Sequence, residues 1–221
     1  MTDLSPYCWT VKRNFDRRSI DMLVIKRIVV GMYMENCYIA YDDESMDGFI
    51  VDPGEEPGAI IGYVEELKVK PQFVLLTHGH IDHVSALDDV CRHFGIRAYV
   101  SSEDKESMEG NTQVFGKTST EMDIVSDGDT VDFSGFGIRV IATPGHTRGG
   151  MCYLAGNSLF SGDTLFSGSI GRTDFPGGNF DDLIKSIKTK LLVLPDDTIV
   201  LPGHDRTTTI GRERKYNGYL A

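Results

Sequence analysis

Residues 75–83 read LLTHGHIDH, and they place three of the six histidines of the chain within six positions. His78, His80 and His83 are accompanied there by Asp82. Imidazole rings titrate near neutral pH, and rings that protonate side by side repel one another. Close packing of several imidazoles beside a carboxylate is therefore unfavourable unless it serves a purpose. Binding of a cation is such a purpose, because it suits these donor atoms.

The same stretch lies where a strand is expected to end and a helix to begin. The preceding FVLLT reads as a buried strand, and the following HVSALDDVCRHFG has an apolar helical face that Gly95 would terminate. The loop between them falls at the carboxyl end of a strand, where α/β folds place their sites. Side chains alternate in an extended chain, so His78 and His80 point to the same side. Asp82 and His83 lie where the chain bends into the helix, so they are expected to face a second position next to the first. Two adjacent positions, each with two candidate ligands, predict two metal sites.

Three further polar loops each follow an apolar run and carry one more donor. The runs are IRVIA, NSLFSG and DTIVLP, and the donors are His146, Asp163 and His204. With these, five of the six histidines lie in strand-end loops, and His93 alone lies on the predicted helix. Imidazoles and carboxylates without a thiolate suit Zn²⁺, and also Fe²⁺ or Mn²⁺. The sequence therefore predicts two divalent cations per chain, with Zn²⁺ as the first expectation.

Charge and composition limit the possible partners. The 22 basic and 33 acidic residues give a net charge of −11, which disfavours nucleic-acid binding. No apolar run approaches the ~20 residues that a membrane-spanning helix needs, so we expect no membrane association. Four scattered cysteines without a CxxC pair indicate reduced thiols and a cytoplasmic location. A small molecule remains as the expected partner, and no pattern predicts the oligomeric state.

The chain is expected to form one domain over residues 22–221. Strand-like runs lie at 23–30, 37–41, 48–52, 72–76, 129–132 and 137–142. The segment MCYLAGNSLFSG predicts a hairpin that turns at Gly156-Asn157, and NFDDLIKSIKTKLLVL predicts a helix capped by Asn179. Residues 1–21 show no clear apolar periodicity and are predicted to be a poorly ordered N-terminal extension.

Taken together, the motifs resemble those of the metallo-β-lactamase-fold hydrolases. They are THGHIDH at 77–83, PGHTRGG at 144–150, SGDTLF at 161–166 and PGH at 202–204. GSIGRTDFPGG at 168–178 and TTIGRERKYN at 208–217 narrow the resemblance to the hydroxyacylglutathione hydrolase (glyoxalase II)-like branch. The resemblance implies an α+β fold, an αβ/βα sandwich in which two mixed β-sheets carry helices on their outer faces.

The resemblance also implies how the donors are shared between the metals. By the family pattern, His78, His80 and His146 bind one metal, Asp82, His83 and His204 bind the second, and Asp163 bridges them. Asp82 and Asp163 are then the carboxylates expected to take part in catalysis as well. Arg172 is the candidate for binding a substrate carboxylate, and an ion pair with Asp174 that fixes the loop is the alternative.

Two departures from the family pattern shape the expected activity. Zinc-dependent β-lactamases usually carry a cysteine where Asp163 stands, so hydrolysis of antibiotics is not expected. The larger glyoxalase II enzymes continue into a helical domain that grips glutathione, whereas this sequence ends soon after His204. The resemblance therefore implies a short form, and a glutathione-specific site does not follow from it.

The expected reaction is hydrolysis of small thioesters of the hydroxyacylglutathione type by a hydroxide that bridges the two metals. A thiolate, whose conjugate acid has a pKa near ~8.5, departs without a strong general acid. Two alternatives stay open. One is a glutathione persulfide dioxygenase using a single iron, which shares the scaffold and a similar GRTDF loop but leaves some second-site ligands unused. The other is a nuclease of the tRNA-processing kind, which the acidic charge disfavours.

Overall fold

Alternating strands and helices extend along almost the whole described chain. The computed structural model describes residues 8–12, 22–110 and 113–221. The elements of the first half are β1 (Cys8–Lys12), β2 (Met22–Val30), β3 (Glu35–Asp42), β4 (Asp47–Val51), α1 (Pro57–Leu67), β5 (Lys70–Leu75), α2 (Ile81–Val84), α3 (Leu87–Phe94), β6 (Arg97–Val100), α4 (Ser102–Gly110) and β7 (Met122–Ile124). Those of the second half are β8 (Thr130–Phe133), β9 (Phe136–Ala142), β10 (Met151–Ala155), β11 (Ser158–Gly162), β12 (Leu165–Phe166), β13 (Ser169–Ile170), α5 (Phe180–Ser186), β14 (Ile199–Pro202), β15 (Thr208–Thr209) and α6 (Ile210–Tyr216). A π-helical turn, Ile187–Leu191, continues α5.

The strands form two mixed sheets, one from each half of the chain. The first sheet has seven strands in the order β1 to β7, antiparallel as far as β4 and parallel from β4 onward. The second has six strands in the order β15-β14-β11-β10-β9-β8, with β11 and β14 as its parallel pair. β12 and β13 form a separate two-stranded ribbon.

The central strands β3 and β4 of the first sheet bury both faces, which explains their nearly continuous apolar runs. Because side chains alternate, Ile39 of β3 packs toward the helices and its neighbour Tyr38 toward the second sheet. Phe49 of β4 makes edge-on contacts with Phe133 and Phe160, at ring centroid distances of 5.2 and 5.9 Å. These aromatic contacts join the two sheets into one core.

Helices cover the outer face of each sheet. Val64 of α1 and Val90 of α3 belong to the apolar layer on the first sheet. Leu183 of α5 and Ile210 of α6 belong to the layer on the second. The αβ/βα sandwich is thus confirmed.

Three local predictions are confirmed in detail. Ala155 pairs with Ser158, so the hairpin between β10 and β11 turns at residues 156 and 157. The Asn179 side chain accepts a hydrogen bond from the backbone N–H of Asp182 at 3.1 Å and caps α5. Gly95 ends α3 at φ 68°, a left-handed conformation that glycine adopts without strain.

The helix predicted to begin near Asp82 is interrupted. It forms two pieces, α2 and α3, with a break at residues 85–86. The backbone N–H of Ala86 donates to the carbonyls of Pro53 and Gly54, at 3.1 and 2.7 Å. This turn is therefore held against the loop after β4, which the local helical pattern does not reveal.

Of the N-terminal extension predicted to be poorly ordered, the structure describes residues 8–12. They form β1, which pairs antiparallel with β2 in a register from Cys8↔Lys26 to Lys12↔Met22. An edge strand offers a row of unpaired backbone groups, so a segment without apolar periodicity can add to it through backbone hydrogen bonds. The other residues of the extension lie outside the described ones, and the domain boundary at residue 22 stays a prediction.

The cysteine prediction holds for three of the four residues. Cys37, Cys91 and Cys152 are buried free thiols, and the Cys8 side chain lies outside the described ones. Within the ranges given above, no helix combines the length and apolarity needed to cross a bilayer.

Candidate metal centre

Four strands end at one edge of the sandwich, and a predicted donor follows each of them. His78 and His80 follow β5, His146 follows β9, Asp163 follows β11 and His204 follows β14. β9 and β11 both pair antiparallel with β10, and β14 is parallel to β11, so these three strands point the same way. Their carboxyl ends therefore lie at one edge of the second sheet, and a hydrogen bond from the Met151 N–H, at the start of β10, to the Thr77 carbonyl, at 2.8 Å, joins that edge to the end of β5.

The predicted donors lie in two groups of three around Asp163. Within each group, one ligand atom from each residue lies within 4.8 Å of the others, and the groups are His78, His80 and His146, and Asp82, His83 and His204. Ring centroids of His78 and His83 are 4.1 Å apart, so the groups adjoin. The structure thus brings together all the residues predicted as ligands.

Asp163 lies between the two groups. Its Oδ1 is 3.5 Å from Nε2 of His83. Its Oδ2 is 3.6 Å from Nε2 of His146 and 3.7 Å from Nε2 of His204. One carboxylate therefore faces imidazoles of both groups, which is the position that a bridging ligand requires.

Several ligand atoms of the cluster are buried and have no hydrogen-bond partner among the residues that the structure describes. They are Nε2 of His78, His80 and His83, and Oδ1 of Asp163. Buried polar atoms are nearly always paired, so a group of unpaired lone pairs indicates a missing positive partner. Nitrogen and carboxylate oxygen donors suit zinc or iron. The residues therefore fit divalent cations.

The two groups differ electrostatically. Burial lowers the pKa of His80 to about 3 and holds the pKa of His78 well below its ordinary value, so both rings offer a lone pair. Burial also favours the neutral form of His83, but the carboxylates of Asp163 and Asp52 outweigh it and raise the pKa of His83. The second group therefore attracts positive charge, whether a proton or a cation.

Asp52 positions His83 and was not predicted from the sequence. Its Oδ2 lies 3.0 Å from Nδ1 of His83 and accepts from the Thr77 hydroxyl at 2.5 Å. Its Oδ1 accepts from the Thr77 backbone N–H at 2.7 Å. Asp52 is also close to His78 and His83 as a possible ligand, but both its oxygens are engaged, so it orients the imidazole instead.

Asp104 of α4 joins the two loops that carry the first group. It is fully buried and accepts hydrogen bonds from the Gly79 N–H, the Thr147 hydroxyl and the Gly149 N–H, each at 2.9 Å. Gly79 lies between His78 and His80, and Thr147 follows His146. One carboxylate thus fixes the two loops relative to each other.

Glu35 is a third acid that the sequence pattern does not single out. It is 1% exposed, and neither carboxylate oxygen has a hydrogen-bond partner among the described residues. Its Oε1 lies 3.9 Å from Nδ1 of His83. Burial raises the pKa of Glu35 well above its ordinary value, so the neutral carboxylic acid is favoured at this position beside the second group.

Arg172 contacts the cluster through its backbone. Nδ1 of His146 donates to the Arg172 carbonyl at 2.8 Å, which orients the Nε2 of His146 toward the cluster. The exposed guanidinium makes two hydrogen bonds to Asp174, at 2.8 and 2.7 Å, and lies 3.8 Å from the centroid of the Phe175 ring. The ion pair that the sequence left as an alternative is therefore present, and substrate binding by Arg172 stays a prediction.

His93 lies apart from the cluster, as predicted. Its Nε2 is 3.0 Å from Oε1 of Glu65, and both side chains are solvent-exposed. This contact joins α3 to α1 on the outer face of the first sheet.

Comparison with known proteins gives consistent matches over most of the chain. A family model described as the Metallo-beta-lactamase superfamily matches residues 30–204. The chain is 40% identical over 207 residues to the hydroxyacylglutathione hydrolase GloC of Haemophilus influenzae, which covers 89% of this chain and 97% of that protein. It resembles the crystal structure of the B3 metallo-beta-lactamase BLEG-1 with a TM-score of 0.82, at 33% identity over 89% of this chain and 99% of that one. It also resembles the crystal structure of TTHA1623 in a di-iron-bound form with a TM-score of 0.79, at 32% identity over 88% of this chain and 99% of that one.

Proposed function

Since the chain belongs to the metallo-beta-lactamase superfamily, we propose that it is a metal-dependent hydrolase of small thioesters of the hydroxyacylglutathione type. The observation that carries this proposal is Asp163, which faces imidazoles of two adjacent ligand groups. Two groups that share one carboxylate suit a dinuclear centre, and dinuclear centres of this donor type serve hydrolysis. The similarity to GloC supports the thioester as substrate.

We assign the ligands to two cations. His78, His80 and His146 would hold one cation, and Asp82, His83 and His204 would hold the other, with Asp163 shared. Zn²⁺ is the first expectation and Fe²⁺ the second, because both accept imidazole and carboxylate ligands. When bound, the cations supply the Lewis acidity that lowers the pKa of water and polarises a carbonyl.

The residues of the chain then act by orientation and by charge. Asp52 accepts a hydrogen bond from Nδ1 of His83, and the Arg172 carbonyl accepts one from Nδ1 of His146. These contacts leave the Nε2 atoms of both rings facing the centre. Asp82 and Asp163 supply negative charge beside His83 and His204, the imidazoles of the second ligand group.

A thioester suits this arrangement better than an amide or a phosphodiester does. All the histidines of the cluster are engaged as ligands in this assignment, and none remains to protonate a poor leaving group. A thiolate leaves without such help because the pKa of a thiol is near ~8.5. Net charge of −11 also opposes a polyanionic nucleic-acid substrate.

Metal analysis combined with a substrate panel tests the proposal. Protein loaded with zinc, iron or manganese is assayed for thiol release from S-lactoylglutathione and acetyl-coenzyme A, for hydrolysis of a chromogenic β-lactam, and for oxygen uptake with glutathione persulfide. We expect two cations per chain and metal-dependent thiol release. Persulfide-dependent oxygen uptake without thiol release would establish the dioxygenase instead, and cleavage of the β-lactam alone would reject the thioester.

A further inference from the structure

A groove of about 550 Å³ opens beside the metal centre, on the side of His204. One wall is formed by Arg27 and Val29 of β2 with Met34 of the following turn, and the other by residues 205–207, directly after His204. None of these residues belongs to the predicted ligands. The groove is therefore a feature separate from the metal centre but adjacent to it.

The walls of the groove are fixed to the metal centre by hydrogen bonds. Nδ1 of His204 donates to the Tyr33 carbonyl at 3.0 Å. The buried Asn36 donates from its side chain to the carbonyls of Pro202 and Asp205, at 2.9 and 3.0 Å, and from its backbone to Gly203 at 2.7 Å. A molecule in the groove would thus lie at a defined position relative to His204.

Two guanidinium groups give the groove its chemical character. Arg27 donates from Nη1 to the Asp205 carbonyl at 3.0 Å, and Arg206 donates from Nε to the Ser167 hydroxyl at 3.2 Å. In the described part of the chain, no carboxylate lies within 4.0 Å of the Arg206 guanidinium. Among the described residues that line the groove, two are arginines and one, Asp205, is acidic, in a protein of net charge −11. Guanidinium forks bind carboxylates and phosphates in two-point contacts.

The same region exposes apolar side chains. Met32, Tyr33 and Met34 of the β2–β3 turn are 81%, 60% and 64% exposed, and Val29 is 37% exposed. A cation pair beside exposed apolar groups suits a molecule with both an anionic end and an apolar stem. Acyl thioesters of anionic thiols are such molecules.

We propose that this groove binds the anionic thiol carrier of the thioester, with Arg27 and Arg206 contacting its carboxylate or phosphate groups. The inference rests on the proposed function, because it assigns the thiol half of that substrate to the His204 side of the centre. Carboxylates, as in glutathione, and phosphates, as in coenzyme A, offer the same anionic oxygens, so the experiment must separate them.

Binding of inert thioethers tests the groove without catalysis. Titration calorimetry on zinc-loaded protein compares S-methylglutathione, S-methyl-coenzyme A and the uncharged S-methyl-N-acetylcysteamine. The variants are Arg27→Gln, Arg206→Gln and the charge-retaining Arg206→Lys, with Arg92→Gln as a matched control. Arg92 is an arginine of α3 whose side chain is 70% exposed and paired with Asp89. Circular dichroism and zinc content confirm that each variant is folded and loaded.

We expect at least one anionic thioether to bind and to lose about tenfold or more in affinity in Arg27→Gln and Arg206→Gln, a change of ~1.4 kcal/mol for each factor of ten. Arg206→Lys should retain part of the binding, and Arg92→Gln all of it. The anionic thioether that binds identifies carboxylate or phosphate as the recognised group. The inference is overturned if neither anionic thioether binds, if the glutamine variants bind them normally, or if the uncharged thioether loses affinity equally.

Hydrolysis of the matching thioesters separates the two proposals. Arginine-dependent binding without thiol release would support the groove and reject the thioesterase. Thiol release with a KM that is unchanged in both glutamine variants would support the thioesterase and reject the groove.

Discussion

Asp163 offers the sharpest test at the scale of a single residue. Asp163→Ala removes a carboxylate that faces both ligand groups. Loss of residues that merely orient ligands costs about 10- to 100-fold in metal affinity or activity, so we expect a loss on the order of 100-fold or more in turnover and a lower metal content. Arg172→Ala, which removes an exposed side chain already paired with Asp174, should cost less than about tenfold. Normal turnover and metal content in Asp163→Ala would show that Asp163 does not bridge.

Asp104 should support the centre without contacting a cation. Asp104→Asn keeps the shape but turns an amide NH₂ toward N–H and O–H donors that the carboxylate accepts at 2.9 Å. We expect a loss of about 1–3 kcal/mol in the free energy of unfolding. Zinc affinity, measured by competition with a chelator, should fall about 10- to 100-fold. Asp89→Asn, on an exposed face of α3, is the control and should change neither quantity.

At the scale of one element, α5 depends on its first residue. Asn179 caps the helix through its side chain, and its backbone N–H donates to the Gly145 carbonyl at 2.8 Å, next to His146. Asn179→Ala should lower the free energy of unfolding by about 1 kcal/mol, and Asn179→Asp should retain most of it. Urea denaturation of the three proteins measures the difference. Equal stability of the alanine variant would mean that the cap contributes nothing here.

Elements were predictable where local sequence contains the physical cause of their structure. β3 and β4 bury both faces and read as apolar runs, whereas β7 has three residues whose strand conformation comes from pairing with β6, as in Ala98↔Met122. α4 has only Asp104 and Met108 buried, so it shows no apolar stripe.

The metal centre follows the same logic. His78, His80 and His83 were recognisable because they crowd one loop, and the other donors because each follows an apolar strand. Asp52 and Asp104 act through hydrogen bonds to residues 25 or more positions away. A single acid in a turn or on a polar helix gives no local sign of such partners.

At the scale of the whole molecule, the centre joins the two sheets. His78 and His80 follow β5 of the first sheet, and the other strand-end donors follow strands of the second. A cation held by both halves should stabilise the folded state, by about 2.7 kcal/mol at a free concentration 100 times its Kd. For a domain of this size, that corresponds to a rise in Tm of roughly 5–10 °C. Calorimetry of chelated and zinc-reloaded protein measures the shift, and identical Tm values would show that no cation binds the folded state preferentially.

The order of the ligands along the chain has a consequence for biosynthesis. A ribosome delivers His78, His80, Asp82 and His83 first and His204 last, so a nascent chain offers each ligand group incomplete. His146 completes the first group, and the second has to wait for β14 to be synthesised and paired with β11. Because domains fold as their sequence becomes available, the complete centre forms only when the second half joins the first. The second group can therefore offer all three of its ligands to one cation only after β14 has joined the sheet.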